Sequence, residues 1–342
     1  MYRHGPDPPP TGPNRHHPPN RHHPAARHHP ANASASEPAR GHPRSPMLTH
    51  DRRSRLTALA FLTPLVAYLA AFYAYPLYRN LDLSLRDYTV RSFVAGDAPF
   101  SGWDNFSSVL NDPTFAPAMR HTMVFTFVSI AVQYAAGLAL AVFFNHHFRL
   151  APTLRALFLV PWLLPLIVSA STWSWMFNSE SGVVNHALHL AGVAPAGWLT
   201  SPHWALTSVI IANIWIGIPF NLVILHSGLQ NIPTELYEAA ALDGANAWQQ
   251  FRRITFPLLR PVSAITLLLG LVYTLKVFDL IWIMTKGGPG DSSSTLATWS
   301  YQLGFGTLLP KFGPGAAVGD ILIVIALAFG LLHIRVQRRQ EA

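Results

Sequence analysis

NIPTELYEAAALDGANAWQQFRRITFPLLRP, residues 231–261, lies between two long apolar runs, Trp204–Leu225 and Val262–Thr285. Pro233 suits the first turn of a helix, and Glu235 falls near the positive end of its dipole. Glu238 to Leu242 continue that helix, and Gly244 supplies the left-handed residue that ends it. Ala247–Ile254 can form a second short helix, which Pro257 should stop. Local chemistry therefore gives a helix, a glycine turn and a helix lying on a membrane face, with the polar and basic residues toward water. Gln249 falls on that polar face, where truncation to Ala should cost little. Taken alone, the pattern equally suits an ordinary amphipathic connector.

The flanking runs extend the reading to the whole chain. About 20 apolar residues are needed for a helix to cross the hydrocarbon core. Six windows meet this: Leu56–Tyr78, Thr122–Phe144, Ala156–Phe177, Trp204–Leu225, Val262–Thr285 and Val318–Ile334. Pro161, Pro165 and Pro219 fall inside them, which neighbouring helices tolerate by re-satisfying the freed carbonyls. The windows carry almost no polar stripe, which argues against a soluble helical core. The expected fold is an all-α membrane protein, a six-helix transmembrane bundle with a helix-turn-helix loop. Half of the 342 residues are apolar and only 12% are charged, against roughly 25% charged in a soluble domain.

Charge follows the same plan. Arg52, Arg53, Arg55, Arg149, Arg155, Arg252, Arg253, Arg260, Arg335, Arg338 and Arg339 flank one side of the spans. Arg79, Arg86, Arg91, Arg120, Lys286 and Lys311 lie on the other, in longer loops that also hold acids. The richer side is the cytoplasm, so both termini are expected inside. This asymmetry accounts for the net charge of +8 without nucleic acid. The chain has no cysteine, which removes disulfides, thiolate metal sites and Cys nucleophiles.

Residues 1–50 hold 12 of the 29 prolines and 9 of the 17 histidines, with RHHP repeated at 15–18, 21–24 and 27–30. They cannot bury enough apolar surface to order themselves and are expected to be a disordered cytoplasmic tail, its histidines solvated rather than metal-bound. Met47 stands shortly before the first span as an alternative translation start. Residues 51–342 form the membrane domain.

EAAALDGA, with Phe251, Ile254, Pro257, Leu258 and Pro261 after it, resembles the EAA loop of binding-protein-dependent ABC importer permeases. FDLIWIMTKGGPGDSSST, residues 278–295, is similar to a run of the carbohydrate, maltose-type branch. Asn105–Phe106, RALFLVPWLLP from Arg155, Gly182–Asn185, Trp215 and Pro219–Phe220 extend the likeness. Two departures stand out: the outer loop between the first two spans is too short for a large periplasmic domain, and Lys286 replaces a usual glycine. The resemblance implies that the loop docks on a cytoplasmic ATPase. Glu238, Ala239, Ala240, Asp243, Gly244 and Phe251 then couple the two.

It also implies the partners: a second, homologous permease, two cytoplasmic ATPase subunits, an extracytoplasmic sugar-binding protein and membrane lipid. The implied location is the plasma membrane. None of the three lysines precedes Ser or Thr, so no phosphate-cradling loop of the usual form is present. No cofactor is expected on this chain, and ATP and Mg belong to the ATPases. Polar groups inside spans are costly and mark a candidate substrate pathway: Asn213, Trp215 and Asn221 in the fourth span, Tyr273, Lys276 and Asp279 in the fifth. Lys276 and Asp279 should share a helix face and can equally pair with each other. The alternative function is an ion-coupled secondary transporter, which wants an acidic relay and an internal repeat; Asp279 is the one clear intramembrane acid, and no repeat is found.

Overall fold

The computed structural model describes residues 50–146 and 148–341. The expected disorder of the tail falls outside them. The chain divides into two units between Phe61 and Leu62. Among the described residues every regular element is helical: α1 (His50–Leu69), α2 (Tyr75–Ser84), α3 (Val90–Ala95), α4 (Asp104–Leu110), α5 (Phe115–Phe144), α6 (Ala151–Leu163), α7 (Leu166–Met176), α8 (Val183–Leu190), α9 (Ala205–Gln230), α10 (Thr234–Leu242), α11 (Ala247–Gln250), α12 (Phe256–Leu275), α13 (Asp279–Met284), α14 (Leu296–Phe305) and α15 (Phe312–Glu341).

Five helical stretches among the described residues are long and apolar enough to cross a membrane: Leu59–Ser84, Phe115–Phe144, Ala205–Gln230, Ala247–Leu275 and Phe312–Arg335. The sixth expected span, Ala156–Phe177, is not one straight helix. It is the pair α6 and α7, bent by 94° at Leu164–Pro165. Proline drives the preceding residue out of the α region, and Leu164 is extended at φ −72°, ψ 141°.

Two further prolines shape helices without breaking them. Pro76 and Pro257 each follow a π turn, Ala70–Ala74 and Phe251–Thr255. Tyr75 and Phe256 donate to carbonyls five residues back, Ala70 and Phe251. A proline ring clashes with the carbonyl four residues earlier, and a widened turn swings that carbonyl aside. The second loop helix is therefore not stopped before Pro257 but runs from Ala247 through the π turn to Leu275.

The far end of that span also departs from expectation. The helix stops at Leu275, and Asp279 begins the separate α13. Lys276 and Asp279 thus share no helix face. Each sits where a helix dipole favours it, the cation after a carboxyl end and the carboxylate in a first turn.

The core is built on α5 against α9. Gly137 of α5 lies so close to Asn221 of α9 that a Cβ there would overlap the Asn221 side chain, the close approach small residues permit between spans. Thr122, Thr126, Ser129 and Gln133 give α5 a buried polar stripe, one the apolar windows concealed.

Candidate functional site

Two places carry the expected site residues: the 231–261 loop, and a cavity inside the bundle.

In the loop, α10 ends in a left-handed glycine, Gly244 at φ 79°. Ala245 N–H donates to Ala240 O at 2.9 Å and Gly244 N–H to Ala241 O at 3.0 Å. This is the paired bonding that satisfies the last carbonyls of a helix. Asn246 then caps α11: its side chain accepts from Gln249 N–H at 2.9 Å, and Gln249 Oε1 accepts from Asn246 N–H at 2.8 Å. Gln249 is thus part of a reciprocal cap, not a bystander on a polar face. The Tyr237 hydroxyl meets that of Thr255 at 2.9 Å and ties α10 to the π turn.

Glu238, Ala239, Asp243 and Gly244 are exposed, and Ala240 and Phe251 are half-buried. Phe251 stacks under Trp248 with rings 5.7 Å apart. Ala240, Asp243, Gly244, Gln249, Arg253 and Ile254 line a hollow of about 340 Å³ between the two loop helices. Sequence reading passed over Leu242 and Trp248, which are 91% and 68% exposed. Exposed apolar anchors on a loop were the signal available for them.

The second place is a cavity of about 410 Å³ among α5, α6, α7, α9 and α12. Asn213, Gln133, Trp162, Phe220, Tyr273 and Thr274 are among its walls. Asn213 is 6% exposed, and its Nδ2 has no hydrogen-bond partner. Leaving a buried donor unpaired costs roughly 1–3 kcal/mol. The Gln133 amide donates to the Asn213 main-chain carbonyl at 2.8 Å. Its side chain lies where a Cβ on Gly217 would be. Tyr273 faces Phe220 at 6.0 Å, and the Lys276 ammonium lies 4.9 Å above the Tyr273 ring, a cation–π distance.

Of the six expected pathway residues, the structure brings Asn213 and Tyr273 into the cavity wall, with Lys276 beside them. Trp215 packs edge-on against Trp173 at 5.9 Å. Asn221 donates to Gly217 O at 2.9 Å, within its own helix. Asp279 is exposed in α13 and forms no ion pair with Lys276 among the described residues. Gln133 was missed, although a lone amide within an apolar span was visible.

Asp320 was also missed. It lies in the last span, Phe312–Arg335, and its Oδ1 accepts from Asn80 Nδ2 at 2.7 Å. Asp279, in contrast, lies within the expected window Val262–Thr285 but past Leu275, where the helix stops. Among the described residues Asp320, rather than Asp279, is the acid set well inside a helix long and apolar enough to cross a membrane.

Comparison with known proteins agrees with this architecture. A family model described as "Binding-protein-dependent transport system inner membrane component" matches residues 133–341. The trehalose/maltose transport system permease protein MalF of Thermococcus litoralis is 36% identical, over 84% of this chain and 95% of that protein. The lactose transport system permease protein LacF of Rhizobium radiobacter is 32% identical, over 82% of this chain and 94% of that protein. A similar fold occurs in a bacterial alginate ABC transporter solved with an alginate pentasaccharide-bound periplasmic protein, with a TM-score of 0.74 and 23% identity. That match covers 85% of this chain and 97% of that one. The loop, the multi-pass helical bundle and these matches agree: the chain belongs to the binding-protein-dependent transport system inner membrane components, the permeases of ABC transporters.

Proposed function

We propose that this chain carries a carbohydrate into the cytoplasm, through a path that includes the Asn213 cavity. The observation that carries this reading is the unpartnered Nδ2 of Asn213 in a cavity with aromatic walls. A sugar hydroxyl would satisfy that donor, and Tyr273, Phe220 and Trp162 offer faces for the apolar side of a sugar ring. The relatives named for trehalose, maltose and lactose transport support the same substrate class.

The energy comes from ATP and Mg on two ATPase subunits, which dock on residues 231–261 through Glu238, Ala239, Ala240, Asp243, Gly244 and Phe251. A second permease completes the pathway, and an extracytoplasmic sugar-binding protein delivers the substrate. Closure of the ATPases on ATP favours one arrangement of the bundle over the other, which is how binding at one end opens the path at the other. The Arg asymmetry supports a cytoplasmic loop face with both termini inside.

The experiment is uptake of labelled trehalose, maltose and lactose by cells carrying the whole transporter. Asn213→Leu keeps the volume and removes the donor. It should lower uptake of the transported sugar about tenfold, the scale of one hydrogen bond, with unchanged protein in the membrane. Uptake at the wild-type level would remove Asn213 from the pathway.

A further inference from the structure

The loop end of the bundle holds a larger cavity, of about 780 Å³, where α5 and α9 finish and α6 and α10 begin. Its wall carries His146, Arg149, Arg155 and His226 and no acidic side chain. His226 is 5% exposed. A carbonyl can only accept, so the 3.3 Å contact between His226 Nε2 and Phe144 O places a proton on Nε2. In the neutral ring, Nδ1 is then the acceptor for Arg155 Nη1 at 3.4 Å.

That bond leaves most of the guanidinium unused. Arg155 Nε is buried without an acceptor. The ion pairs among the described residues lie elsewhere, where Arg79 and Arg86 meet Asp82. Ala151 and Pro152, in the first turn of α6, belong to the same wall, and no side chain caps that helix end. Two arginines with no counter-ion, beside an uncapped helix start, call for an anion with several oxygens.

The surroundings indicate which anion. The cavity lies level with the ends of the spans, at headgroup depth. Phe144 in its wall packs edge-on at 5.7 Å against Phe158, which is 41% exposed. Phe148, also in the wall, packs at 5.3 Å against the exposed Phe143. A polar pocket thus opens beside exposed aromatic rings on the spans. Free phosphate uses only the pocket, whereas an anionic phospholipid uses both. We propose that this cavity binds the phosphate headgroup of an anionic phospholipid, held by Arg155 and Arg149, with its acyl chains against Phe143 and Phe158.

The test needs no transport. The full-length chain is purified in detergent, and retention of phosphatidylglycerol and phosphatidylcholine is measured by native mass spectrometry, with and without millimolar inorganic phosphate. Phosphatidylglycerol should be retained preferentially, and phosphate should not displace it. Arg155→Gln and Arg149→Gln should each weaken its retention about tenfold, the scale of one charge-assisted hydrogen bond. Should Arg155→Gln fail to accumulate, the exposed Arg149 decides alone. Equal retention of the two lipids, or a preference unchanged in the variants, would overturn the proposal. Displacement by phosphate would assign the cavity to a free anion, and loss of the lipid when the ATPase subunits bind would assign it to a protein carboxylate; either result also overturns it.

Discussion

The side chain of Gln133 lies across the backbone of Gly217, in the place a Cβ there would occupy, and its amide donates to the neighbouring Asn213 carbonyl at 2.8 Å. The glycine admits the glutamine, and the glutamine holds one wall of the cavity. Gly217→Ala should push the flexible amide aside and leave the packed backbone in place. We predict normal membrane levels with uptake reduced about tenfold. Gln133→Ala should lower uptake as well, and adding Gly217→Ala to it should lower it no further, since the overlap is gone. Additive losses in the double variant would show that the two residues act separately.

Gly244 and Glu238 test the loop. Gly244 has φ 79°, and no atom stands within 4 Å of the Cβ it lacks, so Gly244→Val costs backbone strain rather than a clash. Glu238 is exposed and outside the spans. Both Gly244→Val and Glu238→Lys should reach the membrane and fail to couple ATP hydrolysis to uptake. Glu238→Lys should also reduce co-purification of the ATPase, as reversal of a charge at an interface does. Full co-purification and uptake in both would withdraw the docking role.

Gln249→Ala should not be silent. It breaks the reciprocal cap with Asn246 and should destabilise the start of α11 by about 1 kcal/mol. Faster amide exchange across Ala247–Gln250 is the expected readout. Exchange equal to wild type would mean the cap contributes nothing.

The loop was legible in the sequence because its determinants are local: Gly244 ends a helix by its own backbone freedom. The break at Leu164–Pro165 was legible by the same kind of rule, but apolarity across Ala156–Phe177 hid it. Hydropathy likewise runs on past Leu275 through Val277 and Leu280 and cannot mark where the helix stops. The Gln133–Gly217 contact joins two residues 84 positions apart in the chain, on different helices, and no pattern within either helix announces it. Asn213 and Tyr273 were found by polarity alone. Trp215 and Asn221 answer the same rule, yet the turn of α9 points them elsewhere.

Topology follows from the Arg asymmetry. Reporters fused after Gln250 and at the C-terminus should read cytoplasm, and one at Gly96 should read outside. The reverse pattern would overturn the orientation.

In the function proposed above, ATP acting through the 231–261 loop drives a carbohydrate through this bundle. The most direct test is sugar uptake and ATP hydrolysis measured together in vesicles holding the chain with its partner permease, ATPases and binding protein. Asp320, inside the apolar stretch Phe312–Arg335, is the acid an ion-coupled carrier would use, and Asn80 already donates to it. We expect uptake that requires ATP, survives collapse of the proton gradient, persists in Asp320→Asn and is lost in Glu238→Lys. Uptake that follows the proton gradient without ATP, fails in Asp320→Asn and persists in Glu238→Lys would contradict the proposed function.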